Sequence, residues 1–196
     1  MKRIFALLTA TVLLLTACAA RQEADSRVQE LQSRYAGAEG CSARVDAAAV
    51  REAETLRYTL DVEKTAGETR VRVLAPEELA GIGATVRRDG ALSLTFDGIV
   101  LDAGSAIPGV SALNATDIFL RAAAQGYVTE RNTERFGETE AALRLCLETE
   151  WDGEKLLVTA YFDEDDRPLY AEIECEGEIL VYLEFTDFTF DAILTS

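Results

Sequence analysis

The side chains that could do chemistry in this chain are thiols and carboxylates. Its 196 residues include four cysteines, 35 Asp and Glu against 19 Lys and Arg, and no histidine. The commonest general base and the commonest metal ligand are therefore both missing. Ser-His-Asp and Cys-His mechanisms and His-containing zinc sites are excluded. Cys18, Cys41, Cys146 and Cys175 are widely spaced and form no CxxC, so the usual redox and zinc-ribbon patterns are absent too. The run Asp163-Glu164-Asp165-Asp166 offers oxygens to a calcium ion, but it lacks the DxDxDG spacing of calcium loops and reads as a solvated turn. Glu172, Glu174 and Glu176 share one face of a strand, either a stripe for a basic partner or simply a wet outer face. Nothing singles out a pair of acids for glycoside hydrolysis. No catalytic residue, cofactor or metal site is expected, and the chain reads as a binding protein rather than an enzyme.

Cys18 differs from the other thiols in its surroundings. Lys2-Arg3 precedes an apolar run from Ile4 to Leu15, and Thr16-Ala17 then leads into Cys18. The run is too short to span a bilayer and has the length of a signal-peptide core. Leu15-Thr16-Ala17-Cys18 looks like the lipobox of bacterial lipoproteins. That resemblance implies that residues 1–17 are removed and that Cys18 carries acyl chains such as palmitate, which hold the protein on the extracytoplasmic face of a membrane, or on an outer membrane if the cell has one. Two or more acyl chains anchor where one does not. Residues 18–26 would then be a tether and 27–196 a single domain. Cleavage takes Lys2 and Arg3 away and moves the net charge from −16 to −18. Such a chain is repelled by nucleic acid and by anionic lipid, so the polypeptide stands off the membrane that its lipid enters.

These residues must be held by short elements of two kinds. Arg21 to Tyr35 reads as a helix with Val28, Leu31 and Tyr35 on one face and Gly37 at its end. From Cys41 the period changes to two. Leu56, Tyr58, Leu60 and Val62 alternate with polar residues, then Val71 and Val73, then Leu92, Leu94 and Phe96. Turns are expected at Thr65-Ala66-Gly67, Arg88-Asp89-Gly90 and Phe96-Asp97-Gly98, with Ile99-Val100-Leu101 following. Ser105 to Ala115 reads as a loop containing Pro108 and Gly109. Thr116 then caps a short helix that Gly126 closes, with Asp117 in its first turn and Ile118, Phe119 and Ala122 on its apolar face. Strands resume at Tyr127. Leu143, Leu145, Leu147, Thr149 and Trp151 take one face, and Cys146 joins the polar one. Leu169, Ala171, Ile173 and Cys175 face inward on a later strand. Val181, Leu183 and Phe185 share one parity while Phe188 and Phe190 share the other, so a bulge is expected near Thr186-Asp187. Cys146 and Cys175 are expected not to pair. An intervening strand separates them by roughly 9–10 Å, beyond the ~7 Å reach of a disulfide.

The stretch Val71-Arg72-Val73-Leu74-Ala75-Pro76-Glu77-Glu78-Leu79-Ala80-Gly81-Ile82, the Asp-Gly turn before Ile99 and the closing Phe185-Thr186-Asp187-Phe188 resemble the LolA/LolB superfamily of lipoprotein carriers over about Arg21 to Phe190. The resemblance implies a mainly β (α+β) fold, an unclosed antiparallel β half-barrel with an N-terminal helix and a short helical lid. It also implies an apolar ligand, acyl chains or another lipoprotein's lipid. Leu56, Tyr58, Leu60, Val71, Val73, Leu92, Leu94, Phe96, Ile118 and Phe119 are the residues that would line such a cavity, and the same stripes would equally make an ordinary core. The alternative within the resemblance is a non-catalytic adaptor that binds an envelope partner such as a cell-wall amidase, as a germination lipoprotein does.

Overall fold

The computed structural model describes residues 26–51, 54–96, 99–101 and 109–191. Cys18, the leader, residues Arg21–Asp25 of the expected first helix, the Asp97-Gly98 turn and the segment from Ser105 to Pro108 lie outside them. Helix α1, over residues 26–37, buries Val28, Leu31 and Tyr35, the i, i+3, i+7 face of the sequence pattern. Six strands follow: β1 (Cys41–Arg51), β2 (Glu54–Lys64), β3 (Glu68–Ala75), β4 (Gly83–Arg87), β5 (Leu92–Phe96) and β6 (Ile99–Leu101). Helix α2 (Ala112–Gln125) leads to β7 (Tyr127–Phe136), β8 (Thr139–Trp151), β9 (Glu154–Phe162), β10 (Pro168–Cys175) and β11 (Glu178–Phe190).

The described strands form one antiparallel sheet in the order β6-β5-β4-β3-β2-β1-β11-β10-β9-β8-β7. Two meanders are thus stitched together by the first strand and the last. The stitch leaves β6 and β7 as opposite open edges, and α2 is the segment that carries the chain from one to the other. Fourteen helical residues span about 21 Å, enough to cross the face of a curled sheet. The sheet does curl around this helix: α2 packs against β1, β4, β8, β10 and β11, and a Cβ on Gly90 of the β4–β5 turn would lie 3.8 Å from Trp151 at the end of β8. The unclosed antiparallel half-barrel that the resemblance implied is the architecture found.

Alternation decides which residues fill the inside. Val45, Leu60, Val62, Val71, Val73, Leu145, Leu147, Val158, Ile173, Val181 and Leu183 point inward and are at most 2% exposed. Tight turns set the register. Asp152 and Gly153 both have positive φ (53° and 83°), the pairing that a two-residue hairpin needs. The bulge on β11 is present: Arg44 pairs with Asp187 and Val45 with Phe185, which leaves Thr186 as the extra residue. Phe185 and Phe188 consequently both reach the core. All three cysteines in the described residues are free, and β9 lies between the strands of Cys146 and Cys175.

Three local expectations are corrected. α2 begins at Ala112, four residues before Thr116, with Ser111 at its N-cap, so Thr116 lies within the helix and caps nothing. Leu169 does not face inward in a regular ladder. It sits in an irregularity between Pro168 and Tyr170 and is half-buried, while Pro168 takes the buried place. Cys146 is on the outer face as expected but is not wet there. It is 4% exposed, covered by Thr159 and Glu130, whose oxygens lie 3.6 and 3.8 Å from its sulfur.

Candidate functional site

The site is the contact between α2 and the inner face. The helix starts where Asn114 satisfies the first turn: its Oδ1 accepts the Ser111 N–H at 2.7 Å, and its Nδ2 donates to the Gly109 carbonyl at 3.0 Å. This is half of a capping box with Asn in the place usually taken by Glu. Ten of its fourteen residues are buried. Phe119 is fully buried among Phe185, Phe162 and Tyr35, with ring centroids 4.9, 6.1 and 6.2 Å away. Burying Ile118, Phe119 and Leu120 contributes roughly 1.5–3 kcal/mol each. At the far end, a Cβ on Gly126 would lie 2.6 Å from the Ala122 carbonyl oxygen and 3.2 Å from Leu147. Glycine there lets the chain leave the helix directly onto the sheet.

One polar assembly fastens this apolar helix. Asp117 is 2% exposed. Its carboxylate accepts the Thr69 hydroxyl at 2.6 Å and the Arg121 Nε–H at 2.6 Å. The same guanidinium donates to the carbonyls of Arg88 (3.0 Å) and Arg87 (2.9 Å), and it lies over the Trp151 ring at 5.4 Å. Asp117 thus ties α2 to β3 through Thr69, and Arg121 ties it to the end of β4 and to the end of β8. Gln32 adds a bond from α1 to the Gly126 carbonyl at 2.8 Å. Burial lowers the pKa of Lys64 nearby, partly offset by Asp117, and burial pushes the Cys41 thiol up to about 11. Thr116 Oγ1 is buried with no hydrogen-bond partner among the described residues. The acidic turn has a structural part: Asp163 Oδ1 accepts the backbone N–H groups of Asp165 and Arg167. The turn's carbonyls in turn receive Arg27, Arg34 and Tyr35 of α1.

The ten residues named from sequence separate into three groups. Leu60, Val71, Val73, Leu92, Ile118 and Phe119 are buried against one another under α2. Tyr58 and Leu94 are partly buried against the same core. Leu56 and Phe96 are 44% and 48% exposed, at the rim rather than beneath the helix. The space under α2 is filled, and beside Tyr35, Cys41, Leu120 and Phe190 only about 10 Å³ is left. Larger clefts flank Arg121. One of about 430 Å³ is lined by Asp89, Leu92, Asn114 and Trp151, and one of about 380 Å³ by Tyr35, Lys64, Thr69 and Gln125. Sequence alone names none of the polar fastening. It gives Asp117 only a place at a helix start, because Thr69 and Arg87 are far from it along the chain.

No family model matches the chain, and no curated protein matches it. Among solved structures it is similar to an uncharacterized conserved protein from Thermus thermophilus (14% identity, 86% of this chain and 88% of that one, TM-score 0.50). It is also similar to a DUF1329 family protein from Desulfovibrio piger (8%, 86% and 92%, 0.49) and to a LolA superfamily protein from Nitrosomonas europaea (12%, 87% and 94%, 0.45). At these identities the likeness concerns the fold alone.

Proposed function

We propose that this chain is an envelope lipoprotein, anchored through Cys18, that binds an apolar ligand of the acyl-chain class between α2 and the inner face of the half-barrel, without catalysis. The observation that carries the reading is the way α2 is held: an apolar helix closes an otherwise open apolar sheet face, and one arginine at its rim bonds to the carbonyls of Arg87 and Arg88. A filled interior is compatible with such a ligand. Moving α2 aside uncovers the helix's three large side chains, roughly 5–9 kcal/mol if they met water, and the sheet residues beneath them as well. A sixteen-carbon chain gains about 0.8 kcal/mol per buried methylene, on the order of 13 kcal/mol, and it would itself cover those side chains. The Leu15–Cys18 pattern and the sequence resemblance to lipoprotein carriers support the same reading.

Phe119→Asp would put a charge into the packed centre and unfold the protein rather than open it. Arg121→Met keeps the side-chain stem and releases the carbonyls of Arg87 and Arg88. A fluorescent fatty-acid probe titrated into wild type is expected to bind saturably, and Arg121→Met, shown folded by circular dichroism, is expected to bind it faster. Wild type that binds no probe up to the probe's solubility limit overturns the ligand reading.

A further inference from the structure

The outer face of the sheet carries a row of rings that the inner-face reading does not use. Phe136 on β7, Tyr161 on β9, Tyr170 on β10 and Tyr182 on β11 run across the strands. Their centroids are 4.2 Å apart for Phe136 and Tyr161, 6.1 Å for Tyr161 and Tyr170, and 6.4 Å for Tyr170 and Tyr182. All four are half-buried. Beyond Tyr182 the row opens on a groove of about 640 Å³, bordered by Tyr170, Tyr182 and Glu184 and by Arg57, Thr59 and Pro76. The register puts Ala48 between Tyr182 and Arg57, and so small a side chain between two long ones leaves the groove its depth.

Charge at this groove is arranged against stability. Asp46 of β1 stands directly opposite Glu184 of β11, and Glu184 stands opposite Tyr170. Like charges facing each other across strands are destabilising. On β2 and β3 the same face is compensated: Glu63 faces Arg70 and Asp61 faces Arg72, and both pairs form ion pairs. Among the described residues neither Asp46 nor Glu184 has an ion pair. Asp46 accepts a hydrogen bond from Thr59 at 2.7 Å, and Arg57, on the other wall, is paired with neither acid.

We propose that this face docks a basic, extended segment of a partner protein. One lysine or arginine side chain lies along the Tyr170 and Tyr182 rings, and its charged head is held between Asp46 and Glu184. Ring faces attract a cation, two carboxylates supply charge-assisted hydrogen bonds, and a chain of net charge −16 steers basic partners toward itself. The proposal is independent of the ligand reading for the inner face.

The probe is a labelled hexa-arginine peptide, followed by fluorescence anisotropy near 0.15 M salt, where long-range attraction is screened. Asp46→Asn with Glu184→Gln is expected to weaken binding about tenfold, and Tyr182→Ala is expected to weaken it several-fold. Glu148→Gln with Glu150→Gln, the same charge change on exposed residues of β8, which β9 and β10 separate from β11, is expected to leave affinity within about twofold, because distant surface charge is screened. Relief of the facing charges should also raise the thermal midpoint of the Asp46→Asn, Glu184→Gln protein, which a purely structural part for these acids would not do. Equal losses in the control, or no peptide binding by wild type, overturn the proposal. So does binding of soluble cell-wall oligosaccharides in place of the peptide, or wild-type self-association abolished by the same substitutions, which would make the occupant a glycan or a second copy.

Discussion

At the scale of single residues, the polar groups at α2 divide into one satisfied set and two unpartnered hydroxyls. Asp117, Thr69 and Arg121 satisfy one another. Removing one member of a buried pair leaves the other uncompensated, so Asp117→Asn is expected to lower unfolding free energy by about 3 kcal/mol in urea denaturation; a loss under about 1 kcal/mol would mean that solvent replaces the carboxylate. The hydroxyls of Ser111 and Thr116 have no partner among the described residues. Thr116→Val keeps the shape, deletes an unpaired hydroxyl and is expected to stabilise by about 1 kcal/mol in the same assay. Sequence alone makes Thr116 a cap, because threonine before an acid and an apolar face looks like a helix start. The cap in use, Ser111 with Asn114, replaces the usual Glu and so escapes that pattern. Cys41 gives the pH dependence. Its folded pKa is raised from 9.0 to about 11 by burial, so its contribution is intact below pH 9 and is lost as pH rises through about 11, at most about 2–3 kcal/mol. Lys64, lowered by burial, works in the opposite sense: stability rises as pH climbs from its folded value towards 10.5. Comparing wild type with Cys41→Ala at pH 8 and pH 11 isolates the thiol, and the drop should be smaller in the variant.

At the scale of elements, phase was the most legible property. The parity switch between Phe185 and Phe188 announces the bulge without any knowledge of the partner strand, because inward residues must alternate. The start of α2 was less legible: its first turn is Ala-Leu-Asn, which carries little apolar periodicity. The exposed rim at Leu56 and Phe96 was illegible for a related reason. Alternation says which face a residue takes, not how far along the strand the covering helix reaches. The bulge makes a contrast that can be measured. Deleting Thr186 removes the extra residue and leaves Phe188 on the inner face, so the protein should fold with a small loss of stability. Deleting Glu184, two residues earlier, also regularises the ladder, but it turns Phe185 to the outer face and puts Thr186 in its place. It should cost one large buried side chain, roughly 1.5–3 kcal/mol, more than the Thr186 deletion. Equal stabilities for the two deletions, measured by chemical denaturation, would show that β11 can slip.

At the scale of the whole molecule, two meanders joined by β1 and β11 leave two open edges, and the chain's route between those edges dictates a helix across the mouth. The half-barrel and its helical lid were expectations from the family resemblance, whereas the joining of the first strand to the last shows only in the sheet order. The fastening of the helix was not legible either, because it joins β3, β4, β8 and α2 through groups that only the folded sheet brings together. The molecule's charge bears on where it resides. A chain of −16 gains nothing from an anionic membrane surface, and no helix among the described residues is long and apolar enough to cross a bilayer. On the proposed reading the lipid on Cys18 must then supply all of the membrane affinity, against electrostatic repulsion. Two predictions separate this from an ordinary secreted protein. Cys18→Ser should move the protein wholly from the membrane fraction to the soluble extracytoplasmic fraction, since no second contact holds it. Lowering the salt should not bring the variant back to anionic vesicles and should weaken any residual contact, because repulsion is less screened there. A Cys18→Ser protein that stays with membranes through detergent-free washing would place the anchor elsewhere, and retention that grows at low salt would point to a basic patch as the membrane contact.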